Sequence, residues 1–139
     1  MAVTKAVLVN DGGAPARIIN FVANEAITAG SACEVLTTGK VQMADAANEL
    51  VAGWALVDAA SGDLCSLVTG SGIVLYVTLD GATDIDVGDN LVLAATDNGA
   101  LSKSANTDGD SPVAIALEAA TDTHANNATA GALFKVLVK

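Results

Sequence analysis

The single histidine and the two cysteines are the residues best suited to act as a base or a nucleophile. His124 lies in a polar stretch rich in Thr, Asn and Ala, and Cys33 and Cys65 lie in apolar, strand-like runs whose spacing matches no zinc or redox motif. A general base needs an ordered partner within hydrogen-bond reach, and a reactive thiolate needs an exposed, electropositive setting. We therefore expect a solvated histidine, two buried cysteines and no enzyme.

Two groups of aspartates carry the oxygen ligands that calcium prefers. The first group is Asp84, Asp86 and Asp89, and the second is Asp108 and Asp110. In the first group the glycine comes too early for an EF-hand loop, and no glutamate lies twelve positions along. The pattern predicts aspartates that cap turns, with no bound metal and no cofactor.

Trp54 is the one large aromatic residue inside a strand-like run. A surface that stacks on sugars usually presents more than one aromatic ring, so we expect this side chain in the core or at a subunit interface. A carbohydrate- or calcium-binding β module, able to adhere to a host surface, stays open as the alternative function.

Composition and charge narrow the classes of partner. The 139 residues are 52% hydrophobic but only 3% aromatic, with 16 acidic residues against 6 basic ones and a net charge of −10. Such a charge repels the phosphates of nucleic acids and anionic membranes, so we expect no direct contact with either. No apolar run reaches membrane-spanning length, and residues 1–5 lack the basic, apolar and small-residue order of a signal peptide, so we expect no export. Synthesis in a host cytoplasm is expected.

Apolar residues alternate or form short runs between turn residues, which predicts an all-β fold. A small barrel or sandwich of short antiparallel strands is the expected architecture. The predicted strands are Ala16–Ala23, Ala32–Leu36, Lys40–Ala44, Leu50–Leu56, Leu64–Val68, Gly72–Leu79, Asn90–Leu93, Leu101–Ser104, Pro112–Ala119 and Ala132–Val138. Residues 45–51 and 116–122 could each support only a turn or two of helix.

The chain also partly repeats itself. Ile27–Ser31 is similar to Ile85–Asp89, and a strand and a glycine-centred hairpin follow each of them. Val51–Leu56 is likewise similar to Val113–Leu117. The pattern predicts two related β units with a pseudo-twofold relation in one domain, residues 25–139. Residues 1–24 precede the repeat as an extended arm, whose apolar segments should pair with the chain's own sheet or with a partner's sheet edge.

Several motifs together resemble those of a known family. They are Ile27-Thr28-Ala29-Gly30-Ser31, Val51-Ala52-Gly53, Ser61-Gly62-Asp63, Ile85-Asp86-Val87-Gly88-Asp89-Asn90-Leu91, Asn98-Gly99-Ala100-Leu101 and Val113–Ala119. In this order, over roughly residues 16–139, the chain resembles the small capsid cement, or head decoration, proteins of tailed bacteriophages. The resemblance implies a structural protein of the virion. It would coat the outer capsid surface as a homotrimer, bridge and stabilise major capsid proteins, and carry no catalytic residue.

If the chain is such a protein, we expect three sets of residues to matter: anchors in the arm, a subunit interface and turns that set the fold. The arm would anchor on the capsid or on a neighbouring subunit through Ile18, Ile19, Phe21 and Val22. The long strand 72–79 has few polar positions, so it would form a subunit interface through Ile73, Leu75 and Val77. Fold-setting turns are expected at Gly30, Gly53, Gly88 and Gly99.

Overall fold

The structure is a computed structural model, and it describes residues 8–10, 16–46, 49–80, 84–94, 98–106, 111–120 and 133–139. All regular elements in these ranges are β-strands, and none of the described residues forms a helix able to cross a membrane. The strands are β1 Leu8–Asn10, β2 Arg17–Val22, β3 Ala32–Val35, β4 Val41–Met43, β5 Gly53–Ala55, β6 Leu64–Thr69, β7 Val74–Val77, β8 Asn90–Leu93, β9 Leu101–Lys103, β10 Ala114–Ala116 and β11 Phe134–Val138.

The strands form two antiparallel sheets. The first sheet has the order β2-β6-β5-β3-β4, and the second has the order β1-β7-β11-β10-β8-β9. Every neighbouring pair of strands is antiparallel. The predicted all-β class is confirmed. The two sheets are open and pack on one another, as in a sandwich.

The order of strands shows the internal repeat directly. Raising each strand number of the first sheet by five gives the order of the second sheet without β1. An isolated parallel bridge also recurs in each repeat: Ala23, just after β2, bridges to Val41 of β4, and Leu79, just after β7, bridges to Leu101 of β9. The repeat is thus confirmed. We call residues 16–69 the first half and residues 73–139 the second half.

Two apolar cores stabilise the chain. The larger core lies between the sheets and within the second half, and it includes Trp54, Val68, Leu75, Leu91 and Phe134. The smaller core lies within the first half, around Ile27, Cys33, Val41, Cys65 and Leu67. Because the chain has few aromatic residues, alanine and branched aliphatic side chains fill most of this space.

All ten predicted strands overlap an observed strand, and Asn90–Leu93 has identical bounds. Most of the others are shorter than predicted, and Leu50–Leu56 is reduced to the three residues of β5. The described parts of segments 45–51 and 116–122 contain no helix. The strand β1 was not predicted, although its apolar residues were expected to pair with a sheet.

The two cysteines are free and fully buried, as predicted. Burial raises the pKa of the Cys33 thiol to about 12, and the nearby Cys65 and Glu25 act in the same direction. Burial also raises the pKa of Cys65. Both thiols therefore stay protonated and inaccessible at neutral pH.

We expect neither cysteine to react with iodoacetamide in the folded protein at mildly alkaline pH, because the thiolate is the nucleophile and both thiolates are disfavoured. Intact mass measured over time would show no added carbamidomethyl group. Two groups should appear after denaturation, which serves as the control. Rapid labelling of the native protein would contradict the burial of both side chains.

Candidate docking surface

The strand β2 lies at the edge of the first sheet and carries most of the predicted arm anchors. It pairs with β6 along all six of its residues, and no described strand pairs with its other side. Ile18, Ile19 and Val22 are 57%, 44% and 38% exposed. Phe21 is half-buried against the smaller core. Three of the four predicted anchors thus lie on the surface, on a strand that pairs with its own chain on one side.

The direction of the backbone groups along β2 follows from the hydrogen bonds of the next residue. Ala23 donates its N–H to the Asp63 carbonyl oxygen at 2.8 Å and accepts the Gly62 N–H at 2.8 Å. Both bonds point toward the β6 side, and backbone groups alternate in direction along an antiparallel pair. Ile19 therefore faces β6, whereas Ile18 and Asn20 point their N–H and C=O groups to the open side.

The equivalent edge in the second half is covered. The β2–β6 pair Ile19–Leu67 corresponds to the β7–β11 pair Leu75–Val136. On its other side Leu75 pairs with Leu8 of β1, and its side chain is 0% exposed. The same position of the repeat is thus covered by an added strand in one half and open in the other.

The open edge is apolar and carries no acidic residue of its own. Arg17 is the only charged residue of β2, in a chain with a net charge of −10. Asn20 accepts a hydrogen bond at its Oδ1 from Ser66 Oγ at 2.7 Å, which holds it against β6. An exposed edge with apolar side chains and unpaired backbone groups can take up a further strand by main-chain hydrogen bonding.

The residues predicted to form a subunit interface are placed in the core instead. Ile73, Leu75 and Val77 are each 0% exposed and belong to the larger core of their own chain. Their strand lies between β1 and β11, which accounts for the low polarity of both faces. On β7 an interface would have to use the half-buried Val74 and Tyr76.

Three of the four predicted turn glycines have the left-handed backbone that turns require. The φ angles are +83° at Gly30, +93° at Gly88 and +74° at Gly99. Gly53 is a correction, because it lies inside β5 rather than in a turn. A Cβ atom at this position would lie 2.7 Å from the Val68 carbonyl oxygen, so glycine is needed here for the close approach of two strands.

The aspartate-rich turn of the second half behaves as predicted at Asp89. Its Oδ2 accepts the backbone N–H of Asp86 at 2.8 Å and lies 3.1 Å from Lys103 Nζ. The hydrogen bond to Asp86 and the interaction with Lys103 lower the pKa of this carboxyl group. His124, Asp108 and Asp110 lie outside the described residues.

A different carboxylate cluster forms from residues that no sequence motif singled out. Carboxylate oxygens of Glu34, Asp45 and Glu49 lie within 4.8 Å of one another. Glu49 accepts the backbone N–H groups of Asp45 and Ala46 at 2.9 and 3.1 Å, and Gln42 Nε2 donates to Glu34 at 2.7 Å. Partial burial raises the pKa of Glu49. These amide donors account for the arrangement, which forms where the local β3–β4 hairpin brings Glu34 beside the segment that follows β4.

Trp54 is a core residue, in agreement with the sequence prediction. Its side chain is 3% exposed, and among the described residues its buried Nε1 has no hydrogen-bond partner. It is one of the residues that line a cleft of about 280 Å³, to which both halves contribute. A ring buried in this way does not offer a face on which a sugar could stack.

Comparison with known proteins identifies the fold. No protein-family model and no curated protein matches the chain. Among solved structures, the chain is similar to the crystal structure of the head fiber gp8.5 N base in bacteriophage phi29, with a TM-score of 0.62. The two are 19% identical in sequence, and the match covers 90% of this chain and 95% of the other. The likeness is therefore one of fold, and it extends over both halves.

Proposed function

We propose that this chain is a non-enzymatic structural protein of a bacteriophage head. The observation that carries the proposal is the fold shared with a phage head-fibre base over nearly the whole of both chains. The ordered motifs that resemble those of capsid cement proteins support the same class independently. The described residues also suit this role, because both cysteines are buried and the acidic cluster is held by backbone and amide donors.

More specifically, the chain acts as a cement protein on the outer capsid surface, where it bridges and stabilises major capsid proteins. The open edge of β2 supports this proposal, because Ile18 and Ile19 offer apolar contacts and Ile18 and Asn20 offer unpaired backbone groups. One added strand buries less surface than the roughly 800 Å² per partner of a standard interface. A homotrimer would present three such edges at once, and multivalency would then supply the affinity.

The charge of the chain fits an outward-facing layer. A net charge of −10 keeps a protein that is 52% hydrophobic soluble at high copy number. The same charge disfavours direct contact with packaged DNA. The partner is therefore the protein lattice of the capsid.

Replacing Ile18 with proline tests the docking edge. Proline removes the N–H that points to the open side and leaves the β6 ladder intact, since the Ile18 N–H does not face β6. We expect binding to shells assembled from the major capsid protein of the same phage to weaken about tenfold or more, the effect of losing about 1.4 kcal/mol. Co-sedimentation over a range of protein concentrations would measure this loss.

The matched control is Ile18→Thr, which keeps the backbone N–H and removes only apolar surface. It should bind more tightly than the proline variant and more weakly than the wild-type protein. Equal binding by all three proteins would exclude β2 as the docking edge. Failure of the wild-type protein itself to sediment with the shells would instead contradict the cement function.

A further inference from the structure

The two halves of the chain contact each other through two different surfaces. Surface A is formed by Ala29, Gly30 and Ala32 of the first half, and surface B is formed by Thr78, Gly99 and Leu133 of the second half. Each of these six residues is buried. The contact thus joins unlike surfaces of the two halves, surface A of the first half with surface B of the second half.

Hydrogen bonds and close packing define this contact. Thr78 donates its N–H to the Gly30 carbonyl oxygen at 3.0 Å, and Ala32 donates its N–H to the Gly99 carbonyl oxygen at 2.8 Å. The Thr78 hydroxyl also donates to the Gly99 carbonyl oxygen at 3.1 Å. A Cβ atom at Gly30 would lie 2.9 Å from Leu133 Cδ2, so the two surfaces fit closely.

Because the two halves are repeats, the first half has residues equivalent to surface B, and the second half has residues equivalent to surface A. The β2–β6 pair Phe21–Cys65 corresponds to the β7–β11 pair Val77–Phe134. Val22 follows Phe21 as Thr78 follows Val77, and Leu64 precedes Cys65 as Leu133 precedes Phe134. Val22 and Leu64 are therefore the equivalents of Thr78 and Leu133. With Gly39, the hairpin glycine that corresponds to Gly99, they form surface B of the first half.

Surface A of the second half follows in the same way. The hydrogen bond from the Gly30 N–H to Ala55 corresponds to the bond from the Gly88 N–H to Ala116, each at 2.8 Å. Val87, Gly88 and Asn90 are therefore the equivalents of Ala29, Gly30 and Ala32. The chain thus carries four such surfaces, and the contact between its halves uses two of them.

The two unused surfaces are exposed where the used ones are buried. Leu64 is 67% exposed against 4% for Leu133, and Val87 is 66% exposed against 8% for Ala29. Val22 is likewise exposed, whereas its equivalent, Thr78, is buried. A Cβ atom at Gly39 or Gly88 would meet nothing within 4 Å. Val22, Leu64 and Val87 are thus exposed apolar side chains whose equivalents in the other half are buried in the contact between the halves.

We propose that copies of this chain bind one another end to end, surface A of the second half of one copy against surface B of the first half of the next. The intermolecular contact repeats the one inside each chain. Such a heterologous contact forms a closed ring when its rotation closes and an open filament when it does not. A ring of three chains would contain six halves in equivalent positions.

A basic residue adjoins one of the two unused surfaces, and an acidic residue lies next to the other. A Cβ atom at Gly99 would lie 2.7 Å from Ser31 Cβ, and the equivalents of these two residues are Gly39 and Asp89. Lys40 follows Gly39 directly and is exposed. In the repeated contact Lys40 of one copy therefore comes near Asp89 of the next, which opposes the general repulsion between acidic chains.

Two surface variants test the proposal, because each damages one surface and leaves the other intact. Leu64→Lys places a charge on surface B of the first half, and Val87→Lys places one on surface A of the second half. In sedimentation velocity we expect the wild-type protein to form a ring or filament and each variant alone to sediment as a monomer. An equimolar mixture should form a complex of two chains, since one undamaged pair of surfaces remains.

The control is Val57→Lys, which changes a side chain with 57% exposure that lies on neither surface and should assemble like the wild-type protein. Thermal unfolding of all variants would confirm that they fold. A monomeric wild-type protein at every concentration overturns the proposal, as does wild-type assembly by either surface variant. Monomeric variants that form no complex when mixed also overturn it. Self-association is measured without shells, so this result and capsid binding can fail separately.

Discussion

Replacement of Gly53 by alanine should lower the free energy of unfolding by about 2–3 kcal/mol, the upper part of the range for overpacking a core. The added methyl group would lie 2.7 Å from the Val68 carbonyl oxygen and 3.2 Å from Leu67 Cβ. Both atoms belong to β6, the strand that pairs with both β2 and β5. The sheet must open to accept the methyl group. Urea unfolding followed by Trp54 fluorescence would measure the loss.

Gly72→Ala is the matched control for this prediction. Its added methyl group would meet nothing within 4 Å, but its φ of +84° strains any residue other than glycine. The expected cost is about 1 kcal/mol, which comes from backbone conformation alone. If Gly53→Ala costs no more than Gly72→Ala, the strands β5 and β6 do not approach as closely as the structure shows.

Replacement of Phe134 by alanine should cost about 3–5 kcal/mol, the range found for buried aromatic residues. Phe134 is 1% exposed, opens β11 and lies opposite Val77 in the larger core. A close-packed core collapses only partly into the space that a ring leaves, so most of the cavity's cost remains. The same urea titration would report a large fall in the midpoint with little change in slope.

Phe21→Ala is the control, because Phe21 occupies the edge strand β2 and is only half-buried. The expected cost is about 1–2 kcal/mol, since water can enter the space that the ring leaves. Equal losses for the two variants would mean that the second half is packed no more tightly than the edge of the first. That result would contradict the position of Phe134 in the core.

Local signals were enough to predict most of the strands. Glycine-containing turns separated the apolar runs, and the positive φ angles at Gly30, Gly88 and Gly99 are those that such turns need. The internal repeat could also be predicted from the sequence, since Ile27–Ser31 and Ile85–Asp89 are similar. In the structure both segments form the same kind of turn. Strand ends were less accurate, because apolar residues continue into loops that pack on the core.

Contacts between distant parts of the chain were beyond sequence reasoning. The low polarity of β7 showed correctly that both of its faces are covered, but not that β1 and the chain's own core cover Leu75. Glycine at position 53 resembled a turn residue, because a sequence does not show which strands come close together. The cluster of Glu34, Asp45 and Glu49 arises only when β3 and β4 pair.

The place of β1 in the second sheet affects the order in which the strands can assemble during synthesis. Every strand of the first sheet comes from residues 17–69, so this sheet can assemble as soon as that stretch leaves the ribosome. The second sheet needs β11, which separates β7 from β10 and is synthesised last among the described strands. Leu8 pairs with Leu75, so β1 can join its sheet only after β7 has been made, later than all the strands of the first sheet.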